Sequence, residues 1–339
     1  MAPFDYVEGG MADMAKFLGK RLLSALVTIF LLSIIIFTIS HMSKGDPAQI
    51  ILGAEATEEQ ITELRHSLKL DRPVVEQYID WIFGAVRGDL GDSYYTGEPV
   101  LAEVASRLVP SLRLAIMAEI LAVIVAIPAG VFAAKNKGRG LDYMLSTTSL
   151  LGLSIPNFLM SLILILVFGV AFKALPVSGY RTLKSGVGVF LKYSIAGGIG
   201  IICAFVLALG LGQAGILMRM TRSSMLEVMN TDYIKTAKAK GAKSTVILFK
   251  HALRNAFIPI LTAIGQSFGT LFAGTAIVET IFNIPGVGQL VVTSITRRDY
   301  AMIQGVVLII SIMWIIINLA LDILYGVVDP RIRLAKKAH

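Results

Sequence analysis

Six long apolar runs dominate this chain and decide what it can fold into. They cover residues 22–40, 111–134, 145–172, 194–218, 257–279 and 302–325. A helix needs about 20 mostly apolar residues to cross the hydrocarbon core of a bilayer, and runs of this length reach that. A spanning segment must satisfy its own backbone hydrogen bonds, which a helix does internally. The expected fold is therefore all-α, with six transmembrane helices. Composition agrees: 55% of the 339 residues are hydrophobic and only 16% charged. That leaves too little polar surface to cover a water-soluble domain of this size. Pro156 interrupts the third run, and Gly197, Gly198, Gly200, Gly210, Gly212 and Gly215 interrupt the fourth. Membrane helices tolerate both residue types where neighbours satisfy or pack against the opened backbone.

The charges sit between the runs. A net charge of +8 and a pI near 9.5 would suggest nucleic acid in a soluble protein. Here topology explains them, and no nucleic-acid partner is expected. Lys16, Lys20 and Arg21 close the N-terminal segment 1–21, ahead of a run too long for a signal-peptide core and followed by no small-residue cleavage site. Segments 135–144, 219–256 and the tail 326–339 are basic. The positive-inside rule places them in the cytoplasm, with both termini, and places 41–109 outside. Segment 41–109 carries twelve Asp/Glu against six Lys/Arg. Loop 173–193, with four basic residues on the expected outer side, runs against the rule.

The segment 41–109 reads as a folded extracytoplasmic helical unit between helices 1 and 2. Thr57 and Gln60 have the spacing of a capping box, and Ile61, Leu64 and Leu68 then form one apolar stripe. A second short helix is expected over 75–86, before Gly88-Asp89-Leu90-Gly91 turns the chain.

Catalytic signals are missing. One cysteine, Cys203, makes no intrachain disulfide or thiolate cluster, and His41, His66, His251 and His339 have no metal-site spacing. The sequence carries no phosphate-binding loop, no His-Glu-x-x-His and no nucleophile elbow. The expectation is a protein that performs no chemistry and holds no cofactor itself.

The stretch from Arg219 to Pro259 is too long and too patterned for a simple connector. Residues 233–240 are helix-prone, with Thr231 or Asp232 at the N-terminus. Gly241 suits a left-handed helix end. Ser244 is expected to cap a second helix, with Val246, Phe249 and Leu253 on its apolar face and Lys250 and Arg254 on another. By physics alone this is a helix, a glycine turn and an amphipathic helix entering a span. A basic hairpin on anionic headgroups fits equally well at this level.

Asp232-Tyr233-Ile234-x-Thr236-Ala237-x-Ala239-Lys240-Gly241, followed by Ile258-Pro259, resembles the cytoplasmic loop of the transmembrane subunits of bacterial ATP-binding-cassette importers. Other blocks resemble the dipeptide/oligopeptide/nickel subfamily. Among them are Arg219-Met220-Thr221-Arg222-Ser223-Ser224, Gly45-Asp46-Pro47, Leu175-Pro176-Val177-Ser178-Gly179-Tyr180, Glu279-Thr280-Ile281-Phe282, Pro285-Gly286-Val287-Gly288 and Asp329-Pro330-Arg331-Ile332-Arg333. They cover most of 16–334. The resemblance implies a type I importer permease fold, with a permease core over 110–325. It also implies a coupling helix seated in a groove of a partner ATPase, carried by Asp232, Tyr233, Thr236, Ala237, Lys240, Gly241 and Arg254. It implies four kinds of partner: a homologous second permease, two ATPase subunits that use ATP and Mg, an extracytoplasmic substrate-binding protein, and the lipids of a bacterial inner membrane. Cargo would be dipeptides or oligopeptides, with nickel or glutathione as alternatives. An ion-coupled secondary transporter would need inverted repeats, and none is visible.

Two residues mark a candidate substrate pathway. Glu119 lies well inside the second run, where a carboxylate is costly without a partner or a wet cavity. Asn157 follows Pro156, where the helix is disturbed. Glu119 also suits a hydrogen-bonded acid between helices or a carboxyl kept protonated by burial, Asn157 suits satisfying the opened backbone, and Asp322 near the end of the sixth run reads as a structural partner of a basic loop residue. Segment 279–288 is expected as a helix–turn, either gate or packing element.

Overall fold

The computed structural model describes residues 5–42, 46–53, 55–171 and 199–328. Loop 173–193, the Leu175–Tyr180 and Asp329–Arg333 blocks, Gly45 and the side chains of Cys203 and Asp322 lie outside the described residues. In chain order the elements are α1 (Asp5–Met42), α2 (Pro47–Leu52), α3 (Glu58–Ser67), α4 (Val74–Val86), α5 (Val100–Lys135), α6 (Gly140–Ser154) and α7 (Asn157–Leu164). A π-helical stretch, Ile165–Ala171, continues α7. Then come α8 (Ile199–Met229), α9 (Asp232–Ala239), α10 (Ser244–Val246), a second π-helical stretch (Ile247–Ala252), α11 (Leu253–Phe282), α12 (Val287–Arg297) and α13 (Tyr300–Val328). Among the described residues there is no strand, only one isolated antiparallel bridge between Asp92 and Pro99.

The all-α expectation holds, and the protein is a helical membrane protein. Four stretches are long and apolar enough to cross a bilayer: Arg21–Met42, Val100–Lys135, Ser244–Phe272 and Tyr300–Leu321. Two bent pairs, Gly140–Ser154 with Asn157–Ala171 and Gly274–Phe282 with Val287–Arg297, raise the number to as many as six if each pair is one span. The run over 145–172, expected as one span interrupted at Pro156, is two helices bent by 97°. Ile155 is extended (φ −88°, ψ 117°), as the residue before a proline is biased to be, and Pro156 has no N–H to continue the ladder. The expected fourth span, 194–218, begins outside the described residues and continues in α8.

The chain divides into two compact units, 1–109 with 289–339, and 110–288. In the first, α1 packs against α13 and α4. Local chemistry sets the short helices. Asp46 accepts the Ala48 N–H at 3.0 Å with Pro47 at the first helical position, and it pairs with Arg65. The capping box is present: Thr57 Oγ1 accepts the Gln60 N–H, and Gln60 Oε1 accepts the Thr57 N–H at 3.0 Å. Buried Asp299, just before α13, accepts from the Ser93 hydroxyl, the Tyr94 N–H at 3.2 Å and the Met302 N–H at 3.1 Å. That carboxylate ties the segment after α4 to the start of α13.

In the second unit α8 is central, packing against α6, α7 and α11. Small residues let the backbones approach. A methyl group on Gly215 would sit 2.6 Å from the Ser149 carbonyl oxygen, and one on Gly130 would overlap Thr221. Leu114, Ala118, Leu209, Leu271 and Phe282 form one buried cluster. Val131, Met225, Ile234, Ile247, Leu248 and Ile260 belong to another.

Candidate functional site

Helix α9 turns one fully buried side chain inward and exposes most of the others. Ile234 is fully buried, Ala237 is half-buried, and Asp232, Tyr233, Lys235, Thr236, Lys238 and Lys240 are exposed. Burying a side chain like Ile234 contributes about 1.5–3 kcal/mol, enough to seat a short helix. Thr231 occupies the N-cap position, but its hydroxyl donates back to the Val228 carbonyl. Asp232 supplies the negative charge in the first turn and accepts from Lys235 Nζ at 2.8 Å. The pair is exposed and adds little. Tyr233 Oη accepts from Asn255 Nδ2 at 2.7 Å, linking α9 to α11.

The end of α9 follows the sequence expectation. Gly241 has φ +80°. Its N–H donates to the Lys238 carbonyl at 3.0 Å, and the Ala242 N–H donates to the Ala237 carbonyl at 3.2 Å. This double closure is a Schellman motif, which needs a left-handed residue at Gly241. No other atom lies within 4 Å of a side chain added there, so backbone conformation alone selects glycine.

The second helix departs from expectation in two ways. Ser244 is the first helical residue rather than the cap; Lys243 takes the cap position with no side-chain bond. The buried face is Ile247, Leu248, Ala252, Ala256 and Ile260, while Val246 and Phe249 are exposed and Leu253 is half-buried. Val246-Ile247-Leu248-Phe249 is an unbroken apolar run, so the sequence does not fix which of its residues turn inward, and a π-helical stretch runs over Ile247–Ala252. Lys250 and Arg254 are exposed, as expected.

An ion pair braces this segment. Arg222 Nε and Nη2 donate to Asp142 Oδ1 and Oδ2 at 2.6 and 2.8 Å, with the aspartate buried. Asp142 precedes the apolar run that starts at 145. The Gly138 N–H also donates to Asp142 Oδ2, at 2.9 Å. Arg222 had only a family resemblance in the sequence; Asp142 had no signal at all.

Glu119 belongs to a buried polar network across α5, α8 and α11. Its Oε1 accepts from Ser267 Oγ at 2.6 Å. Gln213 Nε2 donates to Thr270 Oγ1 at 3.1 Å, and Thr270 Oγ1 donates to the Ser267 carbonyl at 2.8 Å. Two acceptors are left over: Glu119 Oε2 and Gln213 Oε1 are buried without a hydrogen-bond partner. Sequence reading missed Gln213, whose one signal is an amide inside an apolar run. Asn157 is half-buried beside α8 and α11, where side-chain atoms added at Gly212 and Gly274 would come within 3.1 and 3.8 Å of its amide. Among the described residues no hydrogen bond joins Asn157 to Glu119.

The turn after α11 is built around a second buried acid. Glu279 Oε1 accepts from Ser111 Oγ at 2.6 Å, and the same Oγ accepts the Val287 N–H at 2.8 Å. Asn283 is left-handed at φ 51°. A methyl group on Gly286 would overlap the Glu279 carboxylate.

Comparison with known proteins follows this geometry. Residues 126–334 match the family described as the binding-protein-dependent transport system inner membrane component. Residues 14–115 match the N-terminal part of such membrane components. A probable peptide ABC transporter permease protein, y4tP, of Sinorhizobium fredii is 39% identical over 320 residues, covering 94% of this chain and 100% of the relative. The glutathione transport system permease protein GsiC of Escherichia coli K12 is 39% identical over 320 residues, 94% of this chain and 99% of the relative. Among solved structures, an inward-facing conformation of the MetNI methionine ABC transporter superposes with a TM-score of 0.54 at 18% identity, over 68% of this chain and 97% of that chain. That likeness shows a shared fold.

Proposed function

The chain belongs to the family of binding-protein-dependent transport system inner membrane components, and on that premise we propose that it forms one half of an import pore for short peptides. It is the membrane subunit of an ATP-driven importer. Relatives named as a peptide permease and a glutathione permease support a peptide cargo. Glutathione, a tripeptide with one unusual linkage, is the second reading on the same ground.

In this proposal six spans place both termini and the basic loops in the cytoplasm, and segment 41–109 outside, where it receives the binding protein. A homologous permease completes the pore, and two ATPases dock from inside. The observation that carries the mechanism is that α9 buries Ile234, ties Tyr233 to Asn255 of α11 and exposes the rest of its polar face. Its exposed residues Tyr233, Thr236, Lys240 and Gly241, with exposed Arg254, are the surface offered to an ATPase. Its inward Ile234 sits in a cluster with Val131 of α5, Met225 of α8 and Ile260 of α11. A push on α9 therefore reaches three long helices through packed contacts, which are stiff at this density. Inside the membrane, the spare acceptors of Glu119 and Gln213 suit the ammonium group of a peptide, with Asn157 further along the path.

The test is co-purification of the wild-type chain and Gly241→Arg with the partner ATPase and permease, with ATPase activity measured in lipid. Gly241→Arg adds a bulky cation to the docking face and strains a left-handed residue by about 1–2 kcal/mol. Gly241→Asn keeps the backbone tolerable and serves as the control. Loss of assembly or of stimulated hydrolysis in Gly241→Arg alone supports the docking role. Unchanged behaviour of Gly241→Arg contradicts it.

A further inference from the structure

Helix α4 carries three distinct faces. One packs on α1: Tyr78 Oη bonds Ser33 Oγ at 2.8 Å, the Tyr78 and Trp81 rings lie 5.3 and 5.8 Å from the Phe37 ring, and His41 Nε2 meets Gln77 Oε1 at 3.1 Å. A second face is apolar and open. Val75, Ile79, Phe83 and Val86 are 69%, 44%, 60% and 80% exposed. At about 100° per residue these four fall within roughly 80° of arc. The third face, next to it, holds exposed Glu76, Asp80 and Arg87, with Arg72 donating to Asp80 at 3.2 Å.

The position of α4 says what covers the open face. Its partners Ser33, Phe37 and His41 lie within the membrane-crossing stretch Arg21–Met42. Ser33 is nine residues from the end of that stretch, about 13 Å along a helix axis. Helix α4 therefore meets α1 inside the apolar zone. The flanks of α1 at this level, including Leu31, Ile35 and Ile39, are themselves exposed and apolar, so the open face of α4 continues a lipid-facing surface. Tyr and Trp at such a junction match the aromatic belt of membrane boundaries.

We propose that α4 is an interfacial helix, lying in the leaflet at the C-terminal end of α1. Val75, Ile79, Phe83 and Val86 enter the acyl–glycerol boundary, and Glu76, Asp80 and Arg87 face water. The charged face has two acids and one base, so it offers no attraction to anionic headgroups. The occupant is the apolar boundary of the bilayer rather than a particular anionic lipid. The proposal needs α1 to span the membrane but does not depend on which side α4 occupies, so it stands apart from the cargo and orientation readings.

The test uses the full chain assembled with its partners in vesicles of phosphatidylethanolamine and phosphatidylglycerol, in a Cys203→Ala background. Nitroxide labels are placed singly at cysteines replacing Glu76, Ile79, Asp80 and Phe83. Collision with oxygen, which partitions into lipid, is compared with collision with a water-soluble nickel chelate. Labels at 79 and 83 are expected to favour oxygen and those at 76 and 80 nickel, unchanged as phosphatidylglycerol is lowered. Equal nickel access at all four positions overturns the proposal in favour of a water-facing helix. Shielding of 79 and 83 from both reagents overturns it in favour of a protein partner. Independently, Phe83→Trp in a Trp81→Phe, Trp314→Phe background should be quenched by lipids brominated near the glycerol, and absence of quenching contradicts the proposal.

Discussion

Glu279 and Glu119 are both buried glutamates in the same unit, and both take a hydroxyl hydrogen bond at 2.6 Å. Their surroundings differ. The carboxylate of Glu279 is wrapped by a turn, with Ser111 bridging it to the backbone of Val287 and Gly286 leaving room for nothing else. Glu119 keeps one oxygen without a partner, near a network that ends in the equally unpartnered carbonyl oxygen of Gln213. A buried acid that is fully occupied fixes structure; one with a spare acceptor keeps a cost that a scaffold would avoid. The contrast separates a structural acid from a candidate transport acid, which hydropathy alone could not do.

Substitutions should split the two. Glu279→Ala leaves the buried Ser111 hydroxyl without its acceptor and is expected to cost about 1–3 kcal/mol, read as lost folded yield and a lower melting temperature in detergent. Gly286→Ala forces a methyl into the same carboxylate and should cost about 1–3 kcal/mol by the same assay. Ser111→Ala should fall below both, because it removes a bridging hydroxyl but keeps the acid. Glu119→Gln keeps an acceptor for Ser267 and removes charge. Its melting temperature should stay within about 1 kcal/mol of wild type or rise, while uptake of a labelled dipeptide falls. If Glu119→Gln melts like Glu279→Ala and transports in proportion to folded protein, the distinction collapses.

What the sequence made legible was local. The Thr57 capping box, the glycine end of α9 and the break at Pro156 each depend on residues within a few positions, and each is present. The coupling-loop motif located an exposed helix for the same reason. The misreadings came from geometry that sequence periodicity does not encode. In the unbroken apolar run 246–249 the inward residues are Ile247 and Leu248 rather than Val246 and Phe249. The ties that hold the units together internally join residues far apart: 80 positions for Asp142–Arg222, 168 for Ser111–Glu279 and 206 for Ser93–Asp299. One sequence carries no signal for such pairs. Gln213 was hidden differently, as an amide in a run read only for its hydropathy.

The account rests on α9 as the contact through which an ATPase moves the pore, and cross-linking tests that most directly. Thr236→Cys in a Cys203→Ala background, on the exposed face of α9, is paired with single cysteines in the partner ATPase and oxidised in lipid with and without ATP. The account predicts a specific cross-link between Thr236→Cys and the ATPase whose formation blocks ATP-driven uptake and is reversed by reductant. No cross-link from any position on the exposed face of α9, in a complex that still transports, would contradict it.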